Sequence, residues 1–277
     1  MFSPYGTKVK QEGVSGLPIC SAHGTTALNY LVVKDHFSQR PDQYAKYRPA
    51  YPPAVFAYLG SLVASKECAW DCGTGNGQAA YELAKTFAQV FATDISQAQL
   101  DQAPPAPNLT YSCQPAEATN FGPQQFDLVV VAQAIHWFDF AKFYAEVRRT
   151  ARPGALLCVL GYGRLEIDDA INRLIDDFYH QTIGRYWDKE RRYIDELYQT
   201  IPFPFAEIEP PRFANQYSWS LDHLVGYLNT WSAVKQFAAQ QHFNPVDMLR
   251  TQLADWWGDA PERLVNFPLL LRVGRVE

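Results

Sequence analysis

Sulfur is scarce in this 277-residue sequence: two methionines and five cysteines. The cysteines, at 20, 68, 72, 113 and 158, form no CxxC pair. An odd count in a chain of this size makes a poor disulfide framework, so the expected compartment is a reducing cytoplasm. Long apolar runs are also missing. No stretch approaches the ~20 residues needed to span a bilayer, and the first twenty residues, broken by glycine and proline, hold no signal-peptide core. Positive charge is in deficit, with 24 Lys+Arg against 29 Asp+Glu. A net charge of -5 provides no global field to attract nucleic acid or an anionic membrane. His23, His180, His223 and His242 show no HxxxH spacing, and Cys68 and Cys72 lack the companions of a zinc site, so no metal is expected. Glycine (16) and proline (19) are too few for a collagenous or low-complexity chain.

Hydrophobic residues are plentiful, at 47%. The length fits one large domain, or a core domain with a cap. Residues 1–33 lack sustained periodicity and read as an N-terminal extension. Residues 34–163 read as a nucleoside-binding core with an N-terminal lid, and residues 164–277 as a helical cap with the last strands of the sheet. A helix is expected from about Pro53 to Val63. Short apolar runs then alternate with amphipathic stretches, the pattern of crossover units on a parallel sheet. Strands are expected at Glu67–Asp71, Val90–Asp94, Leu109–Cys113, Phe126–Ala132 and Ala155–Gly161, with helices at Gly77–Phe87 and Ala141–Ala151. Beyond Gly163 the spacing predicts helices over Asp168–His180, Asp188–Thr200, Ser220–Gln241 and Pro245–Trp257, with strand-like pieces at Phe205–Glu209 and Leu269–Val276.

The first expected strand ends in Asp71 and breaks into Cys72-Gly73-Thr74-Gly75-Asn76-Gly77 before a helix. Glycines there let the backbone turn sharply and lie against a ligand at a helix N-terminus. Asp94 closes the next strand, where a carboxylate can accept both hydroxyls of a ribose. The dinucleotide fingerprint requires G-x-G-x-x-G/A, yet Gln78 occupies its third glycine position. An acid directly before the loop opposes a pyrophosphate. Asp71 suits a ligand carrying a positive amine.

Residues 71–77 resemble motif I of the class I S-adenosylmethionine-dependent methyltransferases. Asp94 with Ile95 resembles that family's ribose-binding position, and Ala116-Glu117 the pair beside the adenine. Residues 126–134, including Ala132 and Gln133, resemble the fourth-strand motif at the methionine end, and Arg152-Pro153-Gly154 the turn before the fifth strand. The segment Tyr44-Ala45-Lys46-Tyr47-Arg48-Pro49-Ala50-Tyr51-Pro52, with Trp231-Ser232-Ala233, resembles the subgroup containing trans-aconitate-type small-molecule methyltransferases. The resemblance implies a Rossmann-like, doubly wound, seven-stranded mixed sheet, S-adenosyl-L-methionine as cofactor and in-line methyl transfer to a small molecule, such as a carboxylic acid. It also implies a monomer or homodimer without nucleic-acid or membrane partners. Tyr44, Arg48, Asp71, Gly73, Thr74, Gly75, Gly77, Asp94, Ile95, Ala116, Glu117, Ala132 and Gln133 are the implied cofactor residues.

His136-Trp137 directly follows the fourth strand, so both could face the transferred methyl, His136 as a base or a hydrogen-bond donor. Tyr227 and Trp231 could line the acceptor pocket, although aromatic residues at helical spacing also build cores. Arg185, Lys189, Arg191 and Arg192 could attract an acidic substrate, although such a run is also the composition of a solvated helix face. Two other functions fit the core: an NAD(P)-dependent oxidoreductase, and a non-catalytic methyltransferase-like binding protein.

Overall fold

A computed structural model of the protein describes residues 46–277. Tyr44 and the expected extension over residues 1–33 lie outside the described residues. Helix α1 (Pro53–Leu62) opens on a proline, whose missing N–H would have no partner in a first turn anyway. The chain then runs through β1 (Cys68–Cys72), α2 (Gln78–Leu83), β2 (Gln89–Asp94), α3 (Gln97–Leu100), β3 (Leu109–Cys113), β4 (Phe126–Ala132), α4 (Phe140–Thr150) and β5 (Ala151–Tyr162). The bounds of β3 and β4 coincide with the expected ones. Strand β5 starts four residues early, because Ala151 already pairs with Phe126 and a register shift in β4 carries the ladder past the Pro153-Gly154 turn.

The second half adds α5 (Asp169–Asp177), α6 (Arg192–Asp195), β6 (Ala206–Ile208), β7 (Gln216–Trp219), α7 (Leu221–Asn229), α8 (Ser232–Gln241), α9 (Pro245–Trp257), β8 (Arg263–Asn266) and β9 (Leu269–Arg275). Three expectations change here. The helix expected over Asp188–Thr200 shrinks to a 3-10 turn and α6, because Leu197 and Tyr198 take left-handed φ values of 55° and 59°. The helix expected over Ser220–Gln241 is two. Thr230 Oγ1 donates to the Tyr227 carbonyl at 2.6 Å at their junction, a local bond that competes with the helical ladder. Strands β7 and β8 form an unexpected antiparallel ribbon outside the main sheet.

The main sheet has seven strands in the order β3-β2-β1-β4-β5-β9-β6. It is parallel from β3 through β5, and β9 inserts antiparallel between β5 and β6. Strand order reverses between β1 and β4, which opens a crevice at their carboxyl ends. Asp127 fixes this central pair: its Oδ2 accepts the amides of Glu67 and Cys68, both at 2.9 Å, and its Oδ1 meets Arg152 at 2.6 Å. The β4 run FDLVVVA feeds two cores. Leu128 and Val130 face the one shared with α1, α2 and the cap helices, and Val129 and Val131 face the one shared with α4. Among the described residues no helix is long and apolar enough to cross a membrane.

Candidate functional site

The β1–α2 loop is left-handed at Gly73, Gly75 and Gly77, with φ of 69°, 56° and 83°. The Gly73 and Thr74 amides donate to the Thr93 carbonyl at 2.8 and 2.9 Å, which ties the loop to β2. Protein atoms keep two of these glycines bare: a Cβ on Gly73 would lie 2.6 Å from Cβ of Ala134, and one on Gly77 would run into the Tyr111 hydroxyl. Gly75 differs. Its Cβ would meet only Gln99 Oε1, at 4.0 Å, so its bareness leaves an open cradle beside the loop.

Below the loop, Asp71 is fully buried. Its Oδ2 accepts from Thr74 Oγ1 at 2.5 Å, while Oδ1 has no hydrogen-bond partner. Burial raises the carboxyl to about 7, against the opposing effect of the Thr74 hydrogen bond. A buried acid with an open acceptor atom is completed by a cationic donor. Asp94 closes β2 with Oδ2 on the Gly75 amide at 2.8 Å and Oδ1 on the Ser96 amide at 2.9 Å. Ile95 beside it is 39% exposed. Ala116 is buried, and Glu117 Oε1 accepts the amide of Asp139, whose own side chain caps α4. The orphaned Asp71 oxygen and the open cradle at Gly75 suit a cofactor with a cationic amine, as S-adenosylmethionine has.

At the end of β4 the strain moves to a non-glycine residue. Gln133 has φ 56°, and its amide oxygen and nitrogen clasp the Tyr162 backbone at 2.9 and 3.3 Å. Strain of this kind persists where the surroundings over-determine it, commonly at sites. Beyond Gln133 a cavity opens, lined by Arg48, His136, Trp137, Trp187 and Arg191 together with the carboxylate of Asp188. Arg48 is anchored through Nε to Thr230 Oγ1 at 2.9 Å and Nη1 to the Tyr162 hydroxyl at 3.1 Å. His136 sits on a single 3-10 turn, Ile135–Trp137, with Nδ1 3.3 Å from the Tyr198 hydroxyl. Burial, then the charge of Arg191, lowers it to about 3. An imidazole held neutral to that pH is a poor proton acceptor.

Tyr227 and Trp231 do not line this cavity. Both are 2% exposed, and they back its wall: Tyr227 lies under the Arg48 guanidinium at 5.4 Å, and Trp231 packs behind Trp187 at 5.6 Å. Arg191 is the residue that the sequence reading undervalued. It does not lie on a solvated face; it stacks over Trp187 at 4.8 Å and donates from Nε to the Tyr179 hydroxyl at 2.9 Å, which in turn reaches the Asp195 carboxylate. No helical spacing signals this contact, because Trp187 and Asp188 are extended and the 3-10 turn starts only at Lys189.

Comparison with known proteins adds independent findings. A family profile described as a methyltransferase domain matches residues 70–159, from β1 into β5. A protein of Dictyostelium discoideum carrying a methyltransferase name is 30% identical over 251 residues, 88% of this chain and 95% of its own. An uncharacterized methyltransferase of Mycobacterium tuberculosis is 30% identical over 174 residues, 62% of this chain and 67% of its own. Among solved structures, a protein of Anaeromyxobacter dehalogenans described as a type II methyltransferase is 39% identical. It covers 83% of this chain and 98% of its own, with a TM-score of 0.77. None of these relatives bears a trans-aconitate name.

Proposed function

Because the chain belongs to the class I S-adenosylmethionine-dependent methyltransferases, we propose that it methylates a small organic acid on a carboxylate oxygen. The nicotinamide alternative gives way to that membership, and product analysis separates the non-catalytic one. When bound, S-adenosylmethionine supplies a methyl group on cationic sulfur, and the breaking C–S bond returns its electron pair to that sulfur, so a carboxylate acceptor has no proton to lose. Asp71 would take the methionine amine, and the amides of residues 73–77 would border the methionine end with Ala132 and Gln133. Asp94 would receive the ribose, with Ile95, Ala116 and Glu117 beside the adenine. The acceptor would be a free small molecule, and the enzyme a cytoplasmic monomer or homodimer.

The observation that carries the acceptor class is the pair of guanidinium groups, Arg48 and Arg191, lining one cavity with a neutral His136. Guanidinium forks match carboxylates in shape and charge. A cationic amine acceptor would meet two guanidinium groups there against the single Asp188 carboxylate that also lines the cavity, and His136 offers it no competent base. The experiment has two stages. Calorimetric titration with S-adenosylmethionine, S-adenosylhomocysteine and NAD should give saturable binding of the first two only. Incubation with a panel of mono-, di- and tricarboxylic acids beside their amides and alcohols should then give methyl esters by mass spectrometry. Methylated amines or alcohols without any ester would overturn the acceptor class.

A further inference from the structure

Tyr198 lies outside every motif read from the sequence, 62 positions from His136, yet its hydroxyl is within 3.3 Å of His136 Nδ1. The two rings stack with centroids 6.1 Å apart and planes 30° apart. The fold goes to unusual lengths to place this phenol. Leu197 and Tyr198 are consecutive non-glycine residues in the left-handed region, and the Tyr198 amide bonds back to the Tyr193 carbonyl at 2.7 Å. Gly161 of β5 clears the space: a Cβ there would lie 2.7 Å from Tyr198 Cε2 and 2.8 Å from Gln133 Oε1. The same missing side chain therefore admits both the strained glutamine and the phenol.

The hydrogen bond has a direction that burial decides. Tyr198 is fully buried, and desolvation keeps its hydroxyl protonated. Among the described residues the only acceptor within its reach is His136 Nδ1. If Nδ1 carried the proton, the phenol hydrogen would be buried without an acceptor, an expensive arrangement. The phenol therefore donates and Nδ1 is bare. The proton of the neutral ring is on Nε2, which has no partner among the described residues, and His136 lines the same cavity as Arg48 and Arg191.

We infer that Tyr198 is a positioning residue that locks His136 in its Nε2–H tautomer, so that His136 is a fixed hydrogen-bond donor to the acceptor's anionic oxygen and not a base. The last step, from donor to acceptor, rests on the carboxylate reading; the lock itself does not. With one carboxylate oxygen held by donors, the other is left free to receive the methyl group.

Long-range proton–nitrogen spectra of the full chain labelled with 15N-histidine read the tautomer directly, His136 being assigned by its disappearance in His136→Gln. The expected wild-type ring is neutral with its proton on Nε2. Tyr198→Phe keeps the ring but deletes the donor, and should give a mixture of tautomers. It should also raise KM for the methylated acid about three- to tenfold, the scale of one neutral hydrogen bond, with kcat and S-adenosylmethionine affinity unchanged. A proton on Nδ1 in the wild type overturns the lock, even if the variant does not fold. So does a Tyr198→Phe protein with the wild-type tautomer and KM. An Nε2–H ring in an enzyme that esterifies no acid supports the lock and overturns the acceptor class.

Discussion

The two halves of the proposed site are built by different rules. The cofactor half lies between Asp71 and Gln133 on successive strand ends, and each residue is placed by its own strand and the turn that follows. The acceptor half gathers Arg48, His136, Arg191 and Tyr198 from three regions of the chain; Thr230 holds Arg48, Tyr198 holds His136 and Tyr179 holds Arg191, while the bare Gly161 leaves the space that Tyr198 fills. Chemistry common to a family can be encoded in a short contiguous motif. Selection of one acceptor depends on tertiary contacts that no motif contains.

Glycine substitutions make the sharpest break between folding and binding within the cofactor half. Gly75→Val projects into the open cradle, and cofactor affinity should fall by about a hundredfold or more, the equivalent of ~2.7 kcal/mol. Its folding stability should fall only by the backbone strain of a left-handed β-branched residue, of order 1–3 kcal/mol. Gly73→Ala collides with Ala134 and should lose stability first. Calorimetry and thermal melts on the pair would show this, and unchanged affinity in Gly75→Val would remove the cradle from the site.

Arg191→Gln tests the other half. Charged hydrogen bonds contribute about 1.5–3 kcal/mol, so kcat/KM for the acid should drop roughly ten- to a hundredfold while cofactor affinity stays unchanged. Arg192→Gln is the control, since that exposed neighbour donates to the Tyr193 hydroxyl and does not line the cavity. Equal losses in both variants would mean that the basic run acts as a diffuse field rather than through one guanidinium.

The same contrast explains what could be read beforehand. The glycine loop and the bounds of β3 and β4 follow from local rules, because strand periodicity and left-handed turns are decided within a few residues. The break at Thr230 and the left-handed pair at Leu197-Tyr198 were hidden, because helical periodicity continues through both and only the packing around them interrupts it. Strands β7 and β8 are four residues each and pair across the length of three helices, a separation at which pattern carries little information. Tyr227 and Trp231 show a related limit: periodicity identifies a buried aromatic face, and cannot say whether a ligand or an arginine lies against it.

Proton linkage gives a smaller effect, confined to the cofactor half. The folded value of Asp71, about 7, lies above its ordinary 3.8. Its contribution to stability is therefore complete below about pH 4 and is lost as pH rises through about 7, since the unfolded chain ionises first. A cationic amine selects the ionised carboxylate, so S-adenosylmethionine affinity should rise about fivefold between pH 6 and pH 7. Asp71→Asn should bind weakly at both values and lose the step. A wild-type affinity that is flat over this range would separate Asp71 from the amine.

The smallest expected effect asks whether the acceptor half depends on its frame. Ser220 caps α7 by accepting the His223 amide at 3.2 Å, and losing such a cap costs ~1 kcal/mol, which for a chain of this size is a fall of about 2–4 °C in melting temperature. Helix α7 carries Tyr227 under the Arg48 guanidinium and leads into Thr230, which holds Arg48 Nε. Both contacts lie at the far end of the helix, where the remaining backbone ladder and the packing of Leu224 and Leu228 still fix the geometry. Ser220→Ala should therefore melt earlier with cofactor affinity and acceptor KM unchanged. A rise in KM at constant cofactor affinity would show instead that Arg48 is positioned by the whole helix, and that the acceptor half extends to the cap at the helix's other end.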